Sequence, residues 1–560
     1  MLQIIQNAGA GHTGGGLSSI DIDTATIGTS MSKLTRRTVL TSLVGLGAAA
    51  TLPAIAQVGG ADPIVRTSYG PVRGRAEQGV LAFRGLRYAA PPIGKLRFKP
   101  PQTLASWTDV ADASEFGAAA VQIPVQPDMP AYEKHSEDCL FLNVWTASLQ
   151  GKRPVMVWLH GGAFSMGAAG RPTYFGDHFA RDGIVLVSVN HRLNVFGYAQ
   201  LPDSWGPEYA SSGMAGMLDI VAALQWVRKN IARFGGDPSN VTIFGESGGG
   251  AKVSMLLAMP AAKGLYHKAI IQSGASLEAA PRQYAQALGG ALLDGLGLAP
   301  DDTTGLAAIE AQKIFAAQEA AVAKVSSLVA PGGFLNSGFV PSANPIDLPR
   351  GPFTPDAPAM SAHVPLLIGS NKDEATLFQA FRPDFLAQTE ADFQNAVRKA
   401  YPADAERVAA AIRKAYPGYS PPHLIAFLST AQMFWLSTIV LAERKASQGA
   451  APVYMYRMDW ESPIRDGVLK ATHAMELSFV FGTYDAVRDF VGPGEGPPRM
   501  AAQMHPAWIA FAKTGNPDTG TLPHWPTYDT QSRSTMIFNL QSRVEKDPLS
   551  ELRRLMSPQS

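Results

Sequence analysis

A short apolar run, Val241-Thr242-Ile243-Phe244, leads straight into Gly245-Glu246-Ser247-Gly248-Gly249 and then into Gly250-Ala251-Lys252-Val253-Ser254-Met255-Leu256-Leu257-Ala258. It reads as a strand, a sharp turn and a helix, which commits this part of the chain to a layered α/β arrangement. The chain has 54 glycines, so a Gly-x-Ser-x-Gly spacing alone carries little weight. The strand before it and the helical pattern after it supply that weight. In such a turn the serine is lifted above the sheet edge in a strained conformation that flanking side chains would obstruct. A serine hydroxyl is a weak nucleophile unless it is exposed, oriented and next to a base. Ser247 is therefore the candidate nucleophile.

Upstream, Pro154-Val155-Met156-Val157-Trp158-Leu159 reads as a buried strand that ends in His160-Gly161-Gly162-Ala163-Phe164. A serine attacking a carbonyl creates an oxyanion, and backbone N–H groups fixed in advance stabilise it well. Small residues let the backbone approach without obstruction. The His-Gly-Gly loop that accompanies a nucleophile elbow, together with the residue after the serine, assigns the donors to Gly162, Ala163 and Gly248. His160 precedes the donors and is expected to order the loop by hydrogen bonding rather than act as base. Phe164 is expected either to border the site or to enter the core.

In the α/β-hydrolase arrangement an acid and then a histidine follow the serine in chain order. Val364-Pro365-Leu366-Leu367-Ile368-Gly369 reads as a later strand, leading into Ser370-Asn371-Lys372-Asp373-Glu374. The pattern leaves both Asp373 and Glu374 open as the acid. Four histidines follow: His423, His473, His505 and His524. His423 comes after Pro421-Pro422 at a helix start. His505 precedes Pro506 and a helix expected from Ala507. His524 lies in a Pro-rich tail. His473 sits in a loop beyond the strand-like Val453-Tyr454-Met455-Tyr456-Arg457-Met458, where a base belongs.

Further motifs carry a resemblance. Phe83-Arg84-Gly85-Leu86-Arg87-Tyr88-Ala89-Ala90-Pro91-Pro92-Ile93-Gly94 comes early, then Glu137-Asp138-Cys139-Leu140-Phe141-Leu142-Asn143-Val144-Trp145. Asn190-His191-Arg192-Leu193, a long helix from Asp219 to Phe234 and Gly235-Gly236-Asp237-Pro238 follow, and later Phe479-Val480-Phe481-Gly482. With the elbow and donor loop, these resemble the type-B carboxylesterases, the group that includes carboxylesterases, cholinesterases and bacterial para-nitrobenzyl esterases. The resemblance runs from about Asp62 to Leu540. It implies an α/β-hydrolase fold, a mostly parallel central sheet flanked by helices, with helical insertions around an active-site gorge. It also implies a carboxylic ester hydrolase with Glu374 as the acid of a Ser247-Glu374-His473 triad, working through an acyl-enzyme. Glu246 and Ser273 resemble a pair that buttresses the active site from behind. The same machinery could act on carbamate, carbonate or amide bonds, and some relatives with this fold, such as neuroligins, are adhesion modules without a complete triad.

Three departures from the family pattern stand out. Gly248 occupies a position where the family often has Ala, and Ala163 one where many members carry a third Gly. Cys139 is the only cysteine, so the bridge that extracellular relatives make from this signature cannot form. Cys139 is expected to be a small buried apolar residue.

At 560 residues the chain could hold several domains, but no linker, charge block or repeat divides it, and residues 57–560 are expected to form a single α/β-hydrolase domain. The stretches from about Ala285 to Val329 and from Glu390 to Gln448 read as helical excursions. Ahead of them, Arg36-Arg37 precede a mild apolar run from Val39 to Ala50 and then Ala54-Ile55-Ala56, the order of a twin-arginine signal peptide over residues 31–56. Cleavage is expected after Ala56, with export to the periplasm or outside the cell. Translation is expected to start at Met31, with residues 1–30 a mis-assigned or disordered extension. The apolar run is shorter than the ~20 residues of a spanning helix, so no stable membrane anchor is expected. Removing residues 1–56 takes away three of the 47 basic and two of the 46 acidic residues, which balances them. No basic patch points to nucleic acid. Neither a metal-binding motif nor a dinucleotide fingerprint indicates a cofactor, and the expected partner is a small-molecule ester.

Overall fold

Val185–Val189, Lys268–Gln272 and Leu366–Asn371 are buried at every position. Such strands need cover on both faces, the condition of a parallel sheet between helix layers. The computed structural model describes residues 62–122, 134–325 and 338–557. The leader, its cleavage pattern and the end of the first helical excursion lie outside them.

Among the described residues the main sheet has eleven strands. In chain order they are β1 (Arg75–Glu77), β2 (Val80–Arg87), β3 (Phe141–Thr146), β4 (Arg153–Leu159), β5 (Val185–Val189) and β6 (Gly236–Glu246). Then follow β7 (Lys268–Gln272), β8 (Leu366–Asn371), β9 (Val453–Met458), β10 (Ser534–Phe538) and β11 (Arg543–Lys546). Their order across the sheet is β11-β10-β9-β8-β7-β6-β4-β5-β3-β2-β1. Strands β4 to β10 all run parallel, and the strands at both edges run antiparallel. Three short strands near the start, Ile64–Arg66, Pro71–Arg73 and Ala111–Asp112, form a separate small sheet.

Alternation along β4 divides the core. Val155, Val157 and Leu159 join the cluster on one face, and Met156 and Trp158 join the other. Helix α1 (Ala215–Asn230) covers the first face with Ile220, Leu224 and Val227. It begins before the expected Asp219, and its expected end is a separate turn, Ile231–Phe234, stopped by left-handed Gly235. Helix α2 (Gly248–Leu256) follows β6. Both helical excursions form. The second contains α3 (Pro421–Thr430), a π-helical turn at Ala431–Trp435 and α4 (Leu436–Ala446). This run is apolar and long enough to cross a membrane, yet 61% of its most apolar window is buried in the protein, so its apolar side chains serve the core. Further on come α5 (Glu476–Val480) and α6 (Gly496–Thr514).

Helix α6 corrects one expectation. It does not start after Pro506 but runs through it, with Pro497 in its first turn. Burial of Met500, Met504, Trp508 and Phe511 outweighs the one N–H donor that Pro506 lacks. His505 is thus a mid-helix residue, its ring held by the Val480 carbonyl and Asp182. Cys139 is fully buried, and burial pushes its thiol well above the ordinary value, as expected of an apolar filler.

Candidate active site

The chain order turns back between β4 and β6, and ligands of open α/β sheets bind beyond the strand ends at such a reversal. The register pairs Leu159 with Gly245. It therefore sets the loop after Leu159 beside the turn after Glu246. Ser247 has φ +56° and ψ −125°, a conformation forced on a non-glycine residue by its surroundings. Its N–H donates to the Gln272 carbonyl at 2.9 Å, and its own carbonyl accepts from Ala251. The turn is so close to β4 that a Cβ on Gly249 would lie 1.9 Å from the Leu159 carbonyl oxygen, which explains why glycine stands there.

The loop after β4 has every carbonyl engaged. Those of His160 and Ala163 accept from Lys252 Nζ at 3.1 and 2.9 Å. The Gly161 carbonyl accepts from His160 Nδ1 at 2.9 Å, and that of Gly162 accepts from the N–H groups of Ser165 and Met166. Among the described residues, the N–H groups of Gly162, Ala163 and Gly248 make no hydrogen bond. His160 thus ties the loop together. It stacks on His191 with ring centroids 4.9 Å apart, and burial, reinforced by the Lys252 charge, pulls both imidazoles well below their ordinary value. Phe164 takes the core alternative: it is fully buried and packs edge-on against Tyr198.

The structure separates the two acids. His473 Nδ1–H donates to Glu374 Oε2 at 2.6 Å, and the Asn371 N–H donates to Glu374 Oε1. Asp373 turns the other way, accepting from the Tyr419 hydroxyl at 2.8 Å and the Ala471 N–H. His473 Nε2 is 3.1 Å from Glu246 Oε1 without the alignment of a hydrogen bond. Ser247 makes no side-chain hydrogen bond to His473 among the described residues.

Ser273 does not pair with Glu246. It follows β7 with φ +48°, and its buried hydroxyl has no partner among the described residues. The Glu246 carboxylate reaches toward His473 instead. The residue behind the site is Glu476, for which the sequence offered no more than its position three residues after His473. Its buried carboxylate accepts from Asn371 Nδ2 at 2.6 Å and Gln272 Nε2 at 3.1 Å. Burial pushes Glu246 up to about 8, and burial with the neighbouring Glu374 charge pushes Glu476 up to about 7. Burial pulls His473 down, but the charges of Glu246 and Glu374 outweigh it and hold the imidazole at about 9. Two rings unforeseen in the sequence cover His473: exposed Phe378 at 5.2 Å and Phe434 of the π turn at 4.8 Å between centroids. The remaining histidines lie elsewhere: His423 bonds Ser420 and the Val468 carbonyl, and exposed His524 pairs with Asp518.

Comparison with known proteins places this arrangement. The model of the carboxylesterase family matches residues 61–554. Para-nitrobenzyl esterase of Bacillus subtilis (strain 168) is 37% identical over 502 residues, covering 88% of this chain and 98% of that protein. Phenmedipham hydrolase of Pseudarthrobacter oxydans is 33% identical over 490 residues, covering 85% and 94%. A solved Geobacillus stearothermophilus carboxylesterase superposes with a TM-score of 0.76 at 36% identity, covering 88% of this chain and 100% of that one.

Proposed function

The chain belongs to the carboxylesterase family and is a carboxylic ester hydrolase, and we propose that Ser247, Glu374 and His473 are its catalytic triad. His473 removes the Ser247 proton as the hydroxyl attacks the ester carbonyl. Glu374 holds the imidazole in the tautomer that leaves Nε2 free to accept, and stabilises the imidazolium that forms. The N–H groups of Gly162, Ala163 and Gly248 receive the oxyanion. His473 then protonates the departing alkoxide, and water releases the acyl group by the same route. The Ser247 hydroxyl aligns with His473 when substrate enters, since catalytic hydrogen bonds are often long before binding.

The observation that supports this reading most is the convergence at the β4 and β6 ends. A strained serine there faces a loop whose carbonyls are engaged, while its Gly162 and Ala163 N–H groups make no hydrogen bond among the described residues. The test is turnover of p-nitrophenyl esters from acetate to palmitate, with Ser247→Ala alongside. Ser247→Ala is expected to lose about 10⁴-fold or more in kcat while staying folded. Undiminished turnover in the variant refutes the assignment.

We also propose export, on the order of Arg36-Arg37, apolar run and Ala54-Ile55-Ala56. Sequencing the N-terminus of the exported enzyme should find Gln57 first. A mature chain that still carries residues 31–56 refutes it.

A further inference from the structure

Lys252 has no part in the reaction described above, yet it is fully buried on α2, five residues after the nucleophile. A buried ammonium is costly unless fully engaged. Burial drags this one down to about 7, with the Glu246 charge opposing. Its Nζ donates to the His160 carbonyl at 3.1 Å and the Ala163 carbonyl at 2.9 Å, and lies 5.3 Å from the centre of the Phe164 ring. The two carbonyls bracket the donor loop. A peptide plane joins the C=O of one residue to the N–H of the next, so the cation fixes the His160–Gly161 and Ala163–Phe164 planes, and the two planes that carry the Gly162 and Ala163 N–H groups are held between them.

A second observation meets the same oxygen. A Cβ on Gly248 would lie 2.0 Å from the Ala163 carbonyl oxygen and 2.5 Å from its carbon. The carbonyl drawn to Lys252 thus passes over residue 248, and the alanine common there in the family would strike it. Lys252, Ala163 and Gly248 are one device.

We propose that Lys252 is a positioning residue of the oxyanion site: its ammonium draws the His160 and Ala163 carbonyls onto α2, anchors both ends of the segment that carries the Gly162 and Ala163 N–H groups, and thereby requires glycine at 248. The proposal rests on the serine-esterase reading above.

The experiment compares wild type with Lys252→Met, Gly248→Ala and the double variant. It measures kcat, KM, thermal stability and affinity for a trifluoromethyl ketone, which forms a tetrahedral oxyanion on the serine. Lys252→Met removes the donors and keeps the side chain's length. Its kcat should fall about 10²-fold, the scale of one lost oxyanion donor, with KM little changed and ketone affinity falling in step. Gly248→Ala should fall similarly. With Lys252 gone the carbonyl can yield to the methyl, so the double variant should lose less than the two single losses combined. A folded Lys252→Met with wild-type kcat and ketone affinity overturns the proposal, as does strict additivity. If Lys252→Met does not fold, Gly248→Ala decides: undiminished kcat and ketone affinity there show that the Ala163 carbonyl is not held where Lys252 places it. Wild-type enzyme that does not bind the ketone, or an active Ser247→Ala, would instead overturn the serine-esterase reading itself.

Discussion

The two sides of this site are held in different ways. On the nucleophile side the main chain does the work. Neighbouring strand ends bring Ser247 and the loop after Leu159 together, and the fit is so close that a methyl group on Gly249 would meet a backbone oxygen. On the histidine side the positions are set by side chains from distant segments. Glu374 and His473 stand 99 residues apart in the chain, and Asn371, Gln272 and Glu476 tie their surroundings together through buried hydrogen bonds. The difference teaches where each side is vulnerable. A backbone fit fails by steric overlap and takes stability with it. A network of buried side chains fails chemically and can leave the fold intact.

The sharpest way to break this contrast is Glu374→Gln beside Asp373→Asn. The first should lower kcat about 10⁴-fold, as expected when the imidazole loses its orienting carboxylate. The second should leave kcat near wild type, since Asp373 faces Tyr419 and the Ala471 N–H. Equal losses would mean the two acids are not separated as described. Gly249→Ala tests the other side: unfolding in urea should reveal a loss of about 3 kcal/mol or more, because both clashing partners are backbone. A stable variant would show that the elbow has room to relax.

A gentler probe is the pH profile. His473 must lose its proton to act as base, and the neighbouring carboxylates hold it up at about 9. The rise of kcat/KM with pH should therefore come above the ordinary imidazole range. Glu246→Gln removes the negative charge beside Nε2, which favours the deprotonated ring, so the rise should move about one unit to lower pH. An unmoved rise, or one displaced upward, would deny Glu246 that role. The smallest expected effect is that of Phe434→Ala. Losing the ring over His473 should raise KM a few-fold with kcat nearly kept, and a large fall in kcat would mean the ring also orients the imidazole.

How much was legible differs between the two sides for the same reason. The elbow and donor loop could be read because glycine spacing after an apolar strand reports backbone geometry, and that geometry is local. His473 could be reached by chain order together with its place in a loop after a late strand. Glu476 could not: a glutamate opening a helix is common, and nothing nearby says that Asn371 and Gln272 will bond it. The same holds for Phe434, which faces His473 from a π turn inside an otherwise helical run. Ser273 was named on the family resemblance alone, and a resemblance of motif does not say where a hydroxyl finds a partner: in the structure it has φ +48° and none among the described residues.

By itself, then, the sequence determined the strands, the strained turn at Ser247, the glycine-rich donor loop and the family to which they belong, because each depends on residues adjacent in the chain. The local pattern left Asp373 and Glu374 open until the family resemblance pointed to Glu374; only the tertiary structure decided that Asp373 turns to Tyr419 instead, that Glu246 and Glu476 crowd the same imidazole, and that Lys252 lies beneath the donor loop. Those outcomes depend on which side chains meet in a dry interior. There a separation of one ångström determines whether a charge is paired or stranded.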